Sequence, residues 1–295
     1  MSKITSVASG VTGKKQYIMS MVILGSLFFI FGLVSWVNAI LIPYFKIACE
    51  LTHFQAYLVA FAFYIAYFVM SVPSSFLLNK VGYKKGVMIG LWIMALGALI
   101  FVPAALTRTY GIFLTGLFAL GTGLAVLQTA ANPYVTIIGP IDSAAKRMSI
   151  MGLCNKFAGI MAPLIFAAIV LQNSDSETFR LLEEGIISGA ERDVVLDGLI
   201  RRVILPYSCL AAILFAFGLV IRFSVLPEID TGKDNASQEE HDGHGKTSII
   251  QFPYPILGAV AIFFHVGARV ISIDTIIGYA QKMGLELIEA KVFPS

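Results

Sequence analysis

The chain alternates long apolar runs with short polar connections. Seven runs are long enough to cross about 30 Å of hydrocarbon. They span Tyr17–Leu41, Gln55–Leu78, Gly86–Leu106, Tyr110–Ile138, Met148–Leu171, Leu205–Leu226 and Tyr254–Ala280. Each predicts a transmembrane helix, and an eighth is expected to begin after Lys291. Between the sixth and seventh runs lies a hydrophilic stretch, Pro227 to Gln251, rich in Asp, Glu, Gly, Ser and His. The pattern predicts an all-α integral membrane protein with a six-helix unit over 1–226. A cytoplasmic linker over 227–253 and the start of a second transmembrane unit over 254–295 follow. Six helices, a linker and the first helix of another set match transporters built from two related halves. On that reading the sequence is a fragment or a truncated gene product.

Composition narrows the class. Of 295 residues, 57% are hydrophobic and 13% charged, and mean hydropathy is +0.82. A water-exposed domain carries about 25% charged residues, so a soluble protein is excluded. Cys49, Cys154 and Cys209 are scattered, without the spacing of a disulfide framework or a metal site. Lys14 and Lys15 precede the first run, and no small-x-small cleavage site follows, so that run reads as a retained helix.

Short-loop charge sets the expected orientation. Lys3, Lys14 and Lys15 lie in the N-terminal tail; Lys80, Lys84 and Lys85 lie between spans two and three; Lys146 and Arg147 lie between spans four and five. The alternate connections hold mainly Lys46 and Arg108, which puts the N-terminus in the cytoplasm. Arg201 and Arg202 run against this rule. The acidic segment before them (Glu183, Glu184, Glu191, Asp193, Asp197) is expected to pair with them.

The polar exceptions inside the runs are the candidate site. The fourth run contains Gln128-Thr129-Ala130-Ala131-Asn132-Pro133-Tyr134, which predicts a proline break among polar side chains at membrane depth. Such residues are costly unless they face protein or a water-filled cavity. Asn38 in the first run and Asn155 in the fifth are further buried-amide candidates, and each also suits an interhelical hydrogen bond. Amides offer both donor and acceptor to a sugar hydroxyl without demanding a counter-charge. Lys156 is a rare intramembrane cation unless it lies near enough to the surface to snorkel. Gly116, Gly121 and Gly123 predict close helix approach in the fourth run, and Gly152 and Gly159 do so in the fifth. His265, Arg269 and Asp274 put charge into the seventh, where a break at Gly267 or Gly278 would alter their geometry. No nucleophile–base pair or metal set converges in the first six runs.

Three stretches carry a specific likeness. Ile40 to Lys46, Phe54 to Tyr57 with Phe63 to Phe68, and above all Leu127 to Thr136 resemble the fucose/galactose/glucose permease family. That family is a branch of the major facilitator superfamily. The resemblance covers essentially the whole chain and implies a two-domain, twelve-helix, alternating-access sugar transporter of the bacterial inner membrane. The superfamily's loop between spans two and three is similar to Ser75–Lys85, with Gly82, Lys80 and Lys84 in place. Asn79 and Tyr83 depart from its acidic and basic positions. The fucose symporter's proton-linked aspartate falls on Ala39 and its proton-linked glutamate on Gln128, so its protonation mechanism does not transfer. Asn155 is similar to an asparagine of the family's fifth span. Arg269 stands where relatives carry Gln or Glu.

The expectation is therefore a non-enzymatic permease for a hexose or amino-hexose of the glucose/galactose type. Asn38, Gln128, Asn132 and Asn155 bind the sugar, with Phe31, Trp36 and Tyr134 as stacking aromatics. Lys80, Gly82, Lys84, Lys85, Arg269 and Asp274 are the conformational or charged positions. The expected partners are a monosaccharide, the lipid bilayer and a coupling cation, sodium ahead of the proton. No cofactor, metal or nucleic acid is expected. The alternative is a transport-inactive membrane sugar sensor or scaffold.

Overall fold

The computed structural model describes residues 14–170, 175–227 and 253–284. Its described residues form nine α-helices: α1 Lys14–Ala48, α2 His53–Val81, α3 Tyr83–Thr107, α4 Tyr110–Ile137, α5 Ala144–Val170, α6 Asp175–Glu183, α7 Gly189–Arg201, α8 Ile204–Phe223 and α9 Pro253–Lys282. Six spans among them are long and apolar enough to cross a membrane. They correspond to the first six apolar runs, and α9 to the seventh. The linker and the expected eighth span fall outside the described residues. The short helices α6 and α7 were not foreseen; they occupy the acidic connection before α8. The fourth helix is not broken at Pro133, and α9 runs without interruption through Gly267 and Gly278.

Lipid gives helices little hydrophobic reason to associate, so they cohere through close van der Waals packing at small residues. The most extensive contact, α3 against α4, is an antiparallel glycine match. Gly90 meets Gly123, and Gly97 meets Gly116. A Cβ on Gly123 would stand 2.5 Å from the Gly90 carbonyl oxygen and 2.5 Å from Met94 Cγ; one on Gly97 would stand 2.7 Å from the Leu120 nitrogen.

Two further contacts are the same contact made twice. Gly32 of α1 sits against the Asn155 carbonyl and the Ala158 methyl of α5. Gly121 of α4 sits against the Phe63 carbonyl and the Ala66 methyl of α2. The α1–α5 contact thus recurs as α4–α2, a local repeat of the kind transporters use. The separation that relates Gly32 to Gly121 also relates position 39 to position 128. Gly159 receives the Trp36 ring, whereas Gly152, expected to pack likewise, faces open space.

The two ends of the bundle differ in charge. At one end, Arg202 donates to both Asp175 carboxylate oxygens at 2.9 and 2.7 Å, and the Tyr44 hydroxyl donates to the Leu199 carbonyl. Arg108 pairs with Asp193 and Asp197 at 3.4 and 3.3 Å, and Arg192 with Glu50 at 2.6 Å. This corrects the expected pairing of Arg201 and Arg202 with Asp193 and Asp197. Those acids lie on α7 and reach Arg108 at the α3–α4 turn, while Arg202 turns back to the start of α6. Thr52 and Gln55 form a capping box that starts α2.

Two outcomes test this packing. Gly123→Ala is expected to lower the thermal midpoint in detergent, by about 1–3 kcal/mol of stability, while Gly152→Ala leaves it unchanged or higher. Equal midpoints for the two would remove the glycine match as a determinant. Burial pushes the Cys49 thiol up to about 11, with Arg108 pulling it partly back. In a chain whose other two cysteines are serine, its alkylation rate should climb about tenfold per pH unit through about pH 10, instead of levelling near 8.5.

Candidate functional site

The polar face of α4 is the most open of the expected sites. Gln128 is half-buried and Asn132 exposed, one helical turn apart on the same face. Neither side-chain amide makes a hydrogen bond among the described residues. Thr129, between them in sequence, is committed to its own helix through a bond to the Ala125 carbonyl at 2.8 Å. Thr136 likewise bonds the Pro133 carbonyl at 2.7 Å. Pro133 lacks an N–H, so the carbonyl of Thr129 has no donor one turn ahead. Two amides and a released carbonyl therefore lie within this stretch of α4.

A second group forms where α1 meets α5. The Asn155 amide donates to the Phe28 carbonyl at 3.2 Å, so this asparagine ties the two helices together. Trp36 is 7% exposed and its ring lies on α5 at Gly159, where an added Cβ would stand 2.8 Å away. Lys156 Nζ lies 5.1 Å from the ring centroid, inside the range of a cation–π contact. Phe31 is almost fully buried, tilted against Phe28 at 5.2 Å. Phe31 thus packs on its own helix, and Trp36 on α5. Asn38 lies within α1, but its side chain is outside the described residues, as are those of Arg269 and Asp274 in α9.

Tyr134 also takes a packing position. Its hydroxyl donates to the Pro227 carbonyl at 2.6 Å, and its ring meets Tyr83 edge-on at 6.2 Å. It stands at the basic end of the bundle, where the expected conformational residues gather. Gly82 alone separates α2 from α3, at φ +83°, a backbone conformation that favours glycine. Lys84 donates to the Ser224 carbonyl at 2.7 Å, capping the end of α8. Lys80 and Lys85 are exposed.

Arg147 entered the sequence reading only as a surface charge, and the structure buries it to 2% exposure. Its guanidinium donates to the carbonyls of Val135 and Thr136, both at 2.8 Å, and of Pro140 at 2.9 Å and Gly139 at 3.3 Å. It also donates to Ser143 Oγ at 2.6 Å. The end of α4 leaves carbonyls without intrahelical donors, and one guanidinium collects them. Gly139 leaves room for it, since a Cβ there would come within 2.9 Å of Nη1. The available signal was the Gly139-Pro140 stop followed shortly by an arginine.

Lys156 was singled out with a surface location left open. It lies near the middle of α5, about 18 Å from Ala144 and 21 Å from Val170 at 1.5 Å per residue. Its four-carbon stem does not reach either surface from there. A lysine at bilayer mid-depth costs about 2.5–3.5 kcal/mol on insertion scales unless it faces water or protein. Contact with the Trp36 ring offsets part of that cost.

Comparison with known proteins places this architecture. The family model described as Major Facilitator Superfamily matches residues 24–290. The glucose/galactose transporter of Brucella abortus is 35% identical over 261 residues, covering 88% of this chain and 58% of that protein. The L-fucose-proton symporter of Escherichia coli is 32% identical over 268 residues, covering 91% of this chain and 61% of that one. The crystal structure of the E. coli fucose:proton symporter superposes with a TM-score of 0.58 at 34% identity, over 72% of this chain and 50% of that one. A bacterial homologue of the lysosomal transporter Spinster, inward-facing, shares the fold with a TM-score of 0.61 at 17% identity. The chain thus spans little more than half the length of these curated relatives.

The Arg147 cap generates a direct test. Arg147→Lys should destabilise by about 1.5–3 kcal/mol, because an ammonium cannot serve five acceptors in fork geometry. Lys146→Ala, at an exposed neighbour, should leave the thermal midpoint where it is. A wild-type midpoint for Arg147→Lys would mean that water serves those carbonyls equally well.

Proposed function

Because the chain belongs to the Major Facilitator Superfamily, we propose that it takes part in uptake of a hexose or amino-hexose of the glucose/galactose type. Uptake proceeds by alternating access across the bacterial inner membrane. The six-helix unit, residues 1–226, is one moving body, and the segment from 254 opens its counterpart. The observation that carries the reading is the pair Gln128 and Asn132. Their amides stand one turn apart on an open face and have no protein partner among the described residues. A sugar hydroxyl both donates and accepts, and an amide answers both needs. Asn155 and Asn38 stand on the neighbouring helices as further ligands. The names of the Brucella and E. coli relatives fit the same substrate class.

The basic end of the bundle, with Lys80, Lys84, Lys85 and Lys146, is the cytoplasmic one on this reading. Coupling is to sodium ahead of the proton. The E. coli relative is a proton symporter by name, but Gln128 and Ala39 do not titrate, so neither can carry a proton here. A site built of amides and carbonyls, including the Thr129 carbonyl freed by Pro133, has the hard oxygen ligands that suit a sodium ion.

The test is uptake of labelled glucose, galactose and their amino derivatives into vesicles holding the chain together with a complementary second half. Sodium and proton gradients are imposed separately. Saturable uptake should follow the sodium gradient, and Gln128→Ala or Asn132→Ala should each reduce kcat/KM by about tenfold or more. Uptake driven by the proton gradient alone would overturn the coupling assignment. No uptake of any sugar would overturn the substrate class.

A further inference from the structure

Helices α1, α5 and α8 enclose an apolar cleft that the transport reading does not use. Its volume is about 1090 Å³. Met21, Phe29 and Leu33 of α1 line it, with Leu153 and Phe157 of α5 and Phe217 of α8. It exists because α1 packs closely on α5 but makes little contact with α8 among the described residues. The cleft opens outward: Val22 on one wall is 59% exposed, and Leu153 on another is 69% exposed. At 1.5 Å per residue its α1 wall, from Tyr17 to Leu33, is about 24 Å long. One leaflet of hydrocarbon is about 15 Å deep, so the cleft runs the full depth of the leaflet at the basic end. A void there would forfeit dispersion contacts, and an acyl chain fills it without bringing in a polar group.

The mouth of the cleft is cationic. The α1 span begins at Lys15, which lines an adjoining recess with Ile18, Met19 and Val22. Ile18 and Val22 also line the cleft itself. Gln16 donates to the Val225 carbonyl at 3.4 Å, which sets the start of α1 beside the end of α8 and its exposed Arg222. The Tyr17 ring lies at Gly139, where a Cβ would come within 3.1 Å of it, shortly before α5 and its exposed Lys146. Asp142 is the one acid at this end among the described residues. A basic pocket between transmembrane helices suits the phosphate of an anionic lipid.

We propose that the cleft holds an acyl chain of an anionic phospholipid whose phosphate stands at Lys15. Arg222 and Lys146 draw the headgroup to the same mouth. The acyl chain joins α1 to α8 where protein contact is sparse, and the phosphate selects the lipid. This holds whatever solute the protein carries.

The test places the 295-residue chain in phosphatidylcholine vesicles with a trace of phosphatidylglycerol bearing a photoreactive acyl chain. A phosphatidylcholine tracer with the same acyl chain is the control. After illumination, adducts on Leu33, Phe157 and Phe217 should be at least about fivefold more abundant with the anionic tracer, the weight of one basic side chain near a phosphate. Lys15→Gln should remove about that factor. Gly25→Leu fills the cleft, and its Cβ meets Cys154 Sγ at an ordinary 3.6 Å. It should abolish cleft adducts from both tracers and leave those on the exposed Phe68 and Phe76 of α2, which shows that the bundle is intact. Equal cleft labelling by the two tracers, an unchanged preference in Lys15→Gln, or anionic labelling as strong on α2 as in the cleft would reduce the lipid to an ordinary annulus and overturn the proposal. Cleft adducts that vanish once the complementary second half or a second copy of the chain is bound would give the cleft to that partner, and would overturn it too.

Discussion

Close approach of helix backbones at glycine is the constraint on which the rest of this structure depends. Within a bilayer the apolar side chains of α1 to α5 and α8 gain little by leaving lipid for protein, so association rests on how near the helices can come. Gly90 and Gly97 on α3 answer Gly123 and Gly116 on α4. Gly32 and Gly121 repeat one contact on two helix pairs. Once α1 lies on α5 in this way, Asn155 reaches the Phe28 carbonyl and Trp36 lies flat on Gly159. On α4 the same packing leaves Gln128 half-buried and Asn132 exposed. The polar geometry follows from the small-residue geometry.

Charge is managed differently at the ends and in the middle. At the acidic end, ion pairs join Arg108, Arg192 and Arg202 to carboxylates on neighbouring turns. At the basic end, cations meet backbone carbonyls instead, Arg147 at the close of α4 and Lys84 at the close of α8. Both arrangements complement the negative end of a helix dipole or a fixed anion. In the middle, Lys156 meets the face of Trp36. Lysine thus caps a helix at Lys84 and rests on an aromatic ring at Lys156, according to what surrounds it.

Helix positions were legible because a transmembrane span must satisfy its backbone internally and present apolar side chains over a fixed length. The expected runs agree with the helices to within a few residues, apart from a longer reach at both ends of α1. What escaped was direction around each helix. Trp36, Phe31 and Tyr134 are buried against protein neighbours, and an apolar span gives no periodic signal to tell a packed face from a cavity face. Pro133 was read as a break, but a proline removes only one backbone donor, and α4 continues through it to Ile137 with the Thr129 carbonyl released. Arg147 and the α6–α7 pair were missed for another reason. Their roles come from long-range geometry at the bundle ends, where charge counting sees only loops.

The turn at Gly82 has a bearing on how the chain is made. Helices α2 and α3 are joined by that single residue, so neither can lie in the bilayer while the other waits outside it. A link this short favours insertion of the two as one hairpin, with Lys80, Lys84 and Lys85 at its tip. A longer link at this point would change the order of assembly before it changed anything in the finished protein.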